Sequence, residues 1–358
     1  MDSDKFGDTK TKQHFYWLDL LRFVAAFLVV AQHTRTLLFP KIYDIPSEGL
    51  LQQGGYFVFY LVTRFAHYWV LLFFVLSGFL VGGKAIDNIS KKTFDVRNYF
   101  IDRFVRIMLP LITALIVIFI CNTIMGIQNQ PLELIGNLLS LQGIFVKPVS
   151  GPLWSLSYEV WLYILMGVGG MFTMASTNKS KIINFILLVV VTMSFLQLNY
   201  VYGVIWFMGA IAYRNIAEKP CRLLIQLFVS LTLLMLAMAL FIEKYYEWAL
   251  PIIELLFSLF LALFLQQIVR CKPKGKIANA LNAWGVKLAV FSYTLYLTHY
   301  PLIYLINYLG ISKFEKPTWY AFGVYMAIVI FCTITAYLIY LVSEKHTAKV
   351  KIWIKKII

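Results

Sequence analysis

Long apolar runs, broken by short polar or Pro- and Gly-containing segments, recur from near residue 15 to near residue 342. Read against that punctuation, the pattern predicts helices at 15–38, 65–81, 107–127, 153–172, 182–198, 201–213, 223–241, 250–269, 288–309 and 319–342. Several approach or exceed the roughly 20 residues that a helix needs to cross hydrocarbon. The first run is too long and too polar at its end for a signal peptide and lacks a small-residue cleavage site, so it reads as a retained helix. The stretch 128–151 is fairly apolar and is broken by Pro131 and Pro148. It either lies along the membrane interface or dips back into the protein.

Charge orients the helices. With the N-terminus inside, the cytoplasmic segments collect 24 of the 32 Lys and Arg residues, as the positive-inside rule requires. The same rule divides 182–213 into two helices around Gln197 and Asn199. A single span would turn Arg214, Lys219, Arg222, the Arg270 to Lys287 cluster and the basic C-terminus outward. The expected fold is therefore all-α, a polytopic integral membrane bundle of about ten transmembrane helices with both termini cytoplasmic. Residues 1–14 and 344–358 are expected as cytoplasmic tails, the latter basic, around a membrane domain at 15–343.

Composition agrees with this reading. Hydrophobic residues make up 60% of the 358 and charged residues 14%, more apolar and less charged than a soluble domain. The formal charge of +15 is explained by loop lysines that set orientation and touch anionic lipid, not by nucleic acid. Cys121, Cys221, Cys271 and Cys332 are scattered, with neither a disulfide framework nor metal-ligand spacing.

Ionisable groups inside a span are expensive and therefore mark candidate sites. The first helix carries Asp19 and Arg22, then Gln32-His33-Thr34-Arg35. Arg22 and His33 are separated by about three turns, which puts them on nearly one face and about 16 Å apart along the axis. An i,i+3 pair anchoring the helix end is the simpler reading of Asp19 and Arg22. Glu159 lies about two turns into its span, at a depth matching His33, after Gly151-Pro152-Leu153-Trp154-Ser155. His299 lies in the outer half of another span, where a structural role is as natural as a chemical one. Arg103 and Arg106 close a basic loop just before the third helix, either as anchors or as a paired grip on phosphate oxygens. Ser77-Gly78 suits close helix approach, and Glu254 is either interfacial or inward-facing.

Taken in order, these residues resemble the membrane acyltransferase-3 family. The series is Arg22 and His33 in the first helix, Phe-Phe-x-x-Ser-Gly-Phe over 73–79, Arg103 with Arg106, Trp-Ser-Leu-x-x-Glu over 154–159, and Ser-Tyr-x-x-Tyr-Leu-x-His over 292–299. Many members carry Glu-Arg-Pro or Glu-Lys-Pro after the last helix, where this chain departs with Glu344-Lys345-His346. The resemblance implies transfer of an acyl group, acetyl first, from acyl-coenzyme A onto a surface polysaccharide or lipid-linked glycan, without a fused esterase-like domain. It implies a multi-pass protein of the bacterial cytoplasmic (inner) membrane with no bound cofactor or metal. His33 is then the expected catalytic base, oriented by Glu159, and Arg103, Arg106 and Arg22 are the expected donor-binding cations. His299, Asp19, Trp154 and Ser77 are the expected supporting residues. A transporter or flippase for a glycan intermediate is the rival class, since buried ionisable groups also serve translocation.

Overall fold

The computed structural model describes residues 15–45 and 49–357, so the expected tail 1–14 lies outside the described residues. Among those residues the regular structure is helical, without a strand. The helices are α1 (Leu18–Leu38), α2 (Leu50–Val62), α3 (Ala66–Ser77), α4 (Lys84–Ser90), α5 (Val96–Ile124), α6 (Pro131–Leu138), α7 (Trp154–Met174) and α8 (Asn178–Phe195). They continue with α9 (Tyr200–Arg214), α10 (Arg222–Tyr245), α11 (Leu250–Ile268), α12 (Gly275–Ala289), α13 (Ser292–Tyr308), α14 (Trp319–Val342) and α15 (Thr347–Ile357).

Several helix starts have a local cause. The side chains of Asp95, Thr177, Asn199 and Thr318 accept backbone N–H groups from Asn98, Ser180, Val201 and Ala321, satisfying donors that the first turn leaves open. The Asn199 cap also marks the break between α8 and α9, where charge alternation placed it.

Seven helical runs among the described residues are long and apolar enough to cross a membrane: Leu18–Leu38, Gly54–Ser90, Val96–Ile124, Asn178–Phe195, Arg222–Tyr245, Glu247–Ile268 and Trp319–Ile357. The fold is that of an all-helical membrane protein. Its helices divide by environment. Along α8 and α10 most side chains are exposed, among them Phe185 and Leu233, as expected of helices whose outer faces meet lipid. In contrast, α7, α9 and α13 bury much of their length against other helices. Neighbouring protein shields these interior helices from hydrocarbon, which lets them be short or polar. In the interior, α1 packs against α3, α12, α13 and α14, and α9 packs against α3 and α11.

Glycine sets the closest approach. A Cβ on Gly78 would lie 1.8 Å from the carbonyl oxygen of Trp206, and one on Gly209 would lie 2.1 Å from that of Val75. The backbones of α3 and α9 therefore touch as they do at small-residue membrane interfaces. Between α3 and α4, residues Gly78–Gly83 form a π-helical turn, a local widening often found at functional sites.

Four sequence readings are sharpened in the folded chain. Arg103 and Arg106 stand on α5, which begins at Val96 rather than near residue 107, because Asp95 caps it there. The expected span 288–309 is found as α13, which starts four residues later at Ser292 because a separate helix, α12, closes at Ala289. Within 128–151 the polar residues dip inward: the buried Ser140 carbonyl accepts bonds from Ser157 Oγ (3.0 Å) and Trp161 Nε1 (3.1 Å), and Gln142 Nε2 donates to Leu153 O (2.9 Å), while Leu132, Leu139 and Phe145 stay exposed. Finally, residues 347–357 form a helix, α15, packed against α5 and joined to it by Lys351 and Asp102 at 2.6 Å.

Candidate active site

The site has two parts, distributed along the shared face of α1 and α13. One is a cavity of about 300 Å³ near the Trp17 end of α1. Its lining includes Arg22 from α1, Ser77 from α3, Lys84 from α4, Arg103 and Arg106 from α5, and Glu159 and Tyr163 from α7, closed by Tyr293 and Tyr296 from α13. The other is the imidazole pair His33 and His299, nearer the Leu38 end.

Four cationic side chains converge on the cavity. Arg22 is held by Asp19 at 3.0 Å, with its own side chain 20% exposed. It lies within electrostatic reach of Arg106 and Glu159. The Arg103 guanidinium sits 5.7 Å over the ring of Tyr163, while Arg106 is exposed. Such a group of planar forks suits phosphate oxygens. The Tyr293 hydroxyl is buried in this wall without a hydrogen-bond partner.

Glu159 belongs to this wall. Its carboxylate accepts from Ser77 Oγ (3.1 Å) and from the hydroxyl of Tyr163, one turn further along α7. Ser77 also accepts from Trp206 Nε1 at 3.0 Å. The expected pairing of Glu159 with His33 is therefore corrected: no hydrogen bond or ion pair joins them among the described residues. Matching depth was insufficient because Glu159 is captured by α3 and its own helix, whereas His33 is captured by α13.

The partner of His33 is His299. Their rings are nearly coplanar, 6° apart, with Nδ1 of His33 2.8 Å from Nε2 of His299. Proton positions follow from the far end of the chain of bonds. His299 Nδ1 lies 3.0 Å from the carbonyl oxygen of Leu295, which can only accept, so Nδ1 carries the hydrogen. In the neutral pair His299 Nε2 then accepts from His33 Nδ1–H, and Nε2 of His33 retains its lone pair. His299 is fully buried, and its place one turn beyond Leu295 on α13 orients its ring through that bond.

Tyr296 connects the two parts. It lines the cavity, and its ring centroid lies 6.1 Å from that of His299. Its hydroxyl donates to Pro152 O at 3.1 Å and meets Ser155 Oγ at 2.8 Å.

Trp154 is not part of the cavity lining; it packs behind the lining residue Phe74, in an aromatic group with His67, Tyr158 and Tyr202. Sequence reasoning missed Tyr163, although its i+4 spacing from Glu159 was a usable signal. It also missed the pairing of His67 Nε2 with Glu254 at 2.9 Å, which no spacing reveals. Glu344, at the point of departure from the family pattern, accepts from Thr294 Oγ1 at 2.8 Å and lies within electrostatic reach of Arg106 and Arg22.

The model of the acyltransferase-3 family, described as an acyltransferase domain, matches residues 15–338. No curated protein and no solved structure matches the chain. With that match over most of its length, the chain belongs to the acyltransferase-3 family and is a membrane acyltransferase.

Proposed function

We propose that this acyltransferase moves an acyl group, acetyl first, from cytoplasmic acyl-coenzyme A to a hydroxyl of a surface polysaccharide or lipid-linked glycan, in the bacterial cytoplasmic (inner) membrane. The observation that carries the reading is the relay from Leu295 O through His299 to His33, which leaves one imidazole nitrogen free to take a proton. In this topology the seven apolar runs are joined by α7, α9 and α13 to make ten spans, and basic-residue alternation puts both termini in the cytoplasm.

The cationic cavity then opens toward the cytoplasm, where Arg103, Arg106 and Arg22 hold the donor phosphates. The pantetheine arm runs along α1 and α13, past Tyr296, toward His33. There Nε2 of His33 takes the proton of the acceptor hydroxyl as its oxygen attacks the thioester carbonyl. The carbon–sulfur bond breaks, and the coenzyme A sulfur leaves with the proton from the His33 imidazolium. Glu159 offsets the charge of the arginines and orders the wall through Ser77 and Tyr163.

Purified protein in lipid nanodiscs, given acetyl-coenzyme A and a glycan acceptor, should release free thiol in proportion to ester formed on the glycan. His33→Ala should abolish release with insertion and folding intact. Normal acetylation by that variant would remove His33 from the chemistry. Glycan movement across the membrane without thiol release would favour the transporter reading.

A further inference from the structure

One face of α13 carries tyrosine at every fourth position: Tyr296, Tyr300, Tyr304 and Tyr308. Exposure rises along the ladder, from 7% at Tyr296 to 42% at Tyr304 and 58% at Tyr308. Four-residue spacing stacks the side chains on one side of the helix, so the phenol rings run from the cavity toward the Gly310 end.

The ladder passes directly beside the reactive imidazole. Tyr300 meets His33 edge to face with ring centroids 5.3 Å apart. Behind Tyr300 lies Gly151, where a Cβ would come within 2.9 Å of the ring. On its other side Tyr304 lies 4.7 Å away between centroids, and the Tyr300 hydroxyl donates to that of Tyr304 at 3.0 Å. Tyr300 is thus fixed between Gly151, His33 and Tyr304, while Tyr304 remains substantially open. From those centroid separations, the Tyr304 ring lies at most about 10 Å from the His33 ring.

We infer that Tyr304, backed by Tyr300, is the platform on which the acceptor sugar ring rests while one of its hydroxyls reaches Nε2 of His33. This rests on the proposed transfer to a glycan hydroxyl and names the subsite that receives it. A tyrosine ring offers a flat apolar face for the C–H side of a pyranose and a hydroxyl for its polar edge. With only two torsions to restrain, it does so at small entropic expense. Because the platform ring lies no more than about 10 Å from the His33 ring, a sugar seated on it can bring a hydroxyl within hydrogen-bond reach of the base, as direct proton removal demands. An aromatic belt that merely anchors the helix at the membrane surface makes a different prediction.

The test uses full-length protein in nanodiscs with acetyl-coenzyme A and a panel of methyl glucoside, methyl galactoside and N-acetylglucosamine oligosaccharides, read as thiol release. Tyr304→Ala should raise the acceptor KM about tenfold, with the donor KM within about twofold of wild type. Tyr304→Phe, which keeps the ring face, should recover most of that affinity. An unchanged acceptor KM in a folded Tyr304→Ala protein, beside an active wild type, overturns the platform and leaves the transfer reading standing. Equal rises in donor and acceptor KM, or a Tyr304→Phe defect as large as that of alanine, also overturn it. A wild type inert toward every sugar in the panel overturns the transfer reading and the platform together.

Discussion

Nδ1 of His33 and Nε2 of His299 meet at 2.8 Å across nearly coplanar rings, a bond between two helices 266 residues apart in sequence. The carbonyl of Leu295 sets the direction of the proton at its far end, so in the neutral pair one backbone oxygen decides which nitrogen of His33 keeps its lone pair.

Removing the second imidazole should therefore slow the reaction without eliminating the base. His299→Ala is expected to lower kcat by about 10- to 100-fold, by analogy with the loss of the partner that orients a metal-ligating histidine. The donor KM should change little. His299→Gln keeps an acceptor near His33 Nδ1 and should be less impaired than alanine in the same thiol-release assay. Equal defects in the two would show that the relay does not orient His33.

Glu159 predicts a different pattern. Ser77 and Tyr163 also bond to each other at 2.9 Å, so truncation of Glu159 leaves one of their two hydroxyl donors without an acceptor in this wall. Glu159→Ala should cost about 1–3 kcal/mol of stability, visible as a lowered thermal midpoint in detergent. A large loss of kcat at an unchanged midpoint would return Glu159 to the reacting centre.

Arg103 tests the proposal that the cationic cavity holds the donor. Arg103→Ala should raise the apparent KM for acyl-coenzyme A by about tenfold or more, since hydrogen bonds to charged groups contribute about 1.5–3 kcal/mol. Arg103→Lys should recover only part, because an ammonium keeps the charge but loses both the fork and the planar contact over Tyr163. Unchanged donor affinity in the alanine variant would place the phosphates elsewhere.

The glycine contact between α3 and α9 predicts failure of folding rather than of chemistry. A methyl at Gly78 or Gly209 would meet backbone that has no rotamer with which to escape. Each alanine variant should lose at least the 1–3 kcal/mol of an overpacked core, read as reduced yield of monodisperse protein. Glycines with open surroundings give the control: Gly323→Ala has no atom within 4 Å to meet and should behave as wild type.

The chain by itself determined which segments leave water. Each apolar run is a local property, and each intramembrane Arg, His or Glu stands out because hydrocarbon makes it expensive. Arg22 and His33 were likewise legible as one face of one helix, because 3.6-residue periodicity needs no knowledge of the rest of the fold. Only the tertiary structure decided the partners. Glu159 and His33 matched in depth, yet α3 and Tyr163 took the carboxylate and α13 took the imidazole, because helix adjacency is a non-local outcome of packing. The close backbone contact at Gly78 and Gly209 helps set which helices are neighbours, and with that the division of the polar residues between a cationic cavity and a histidine relay.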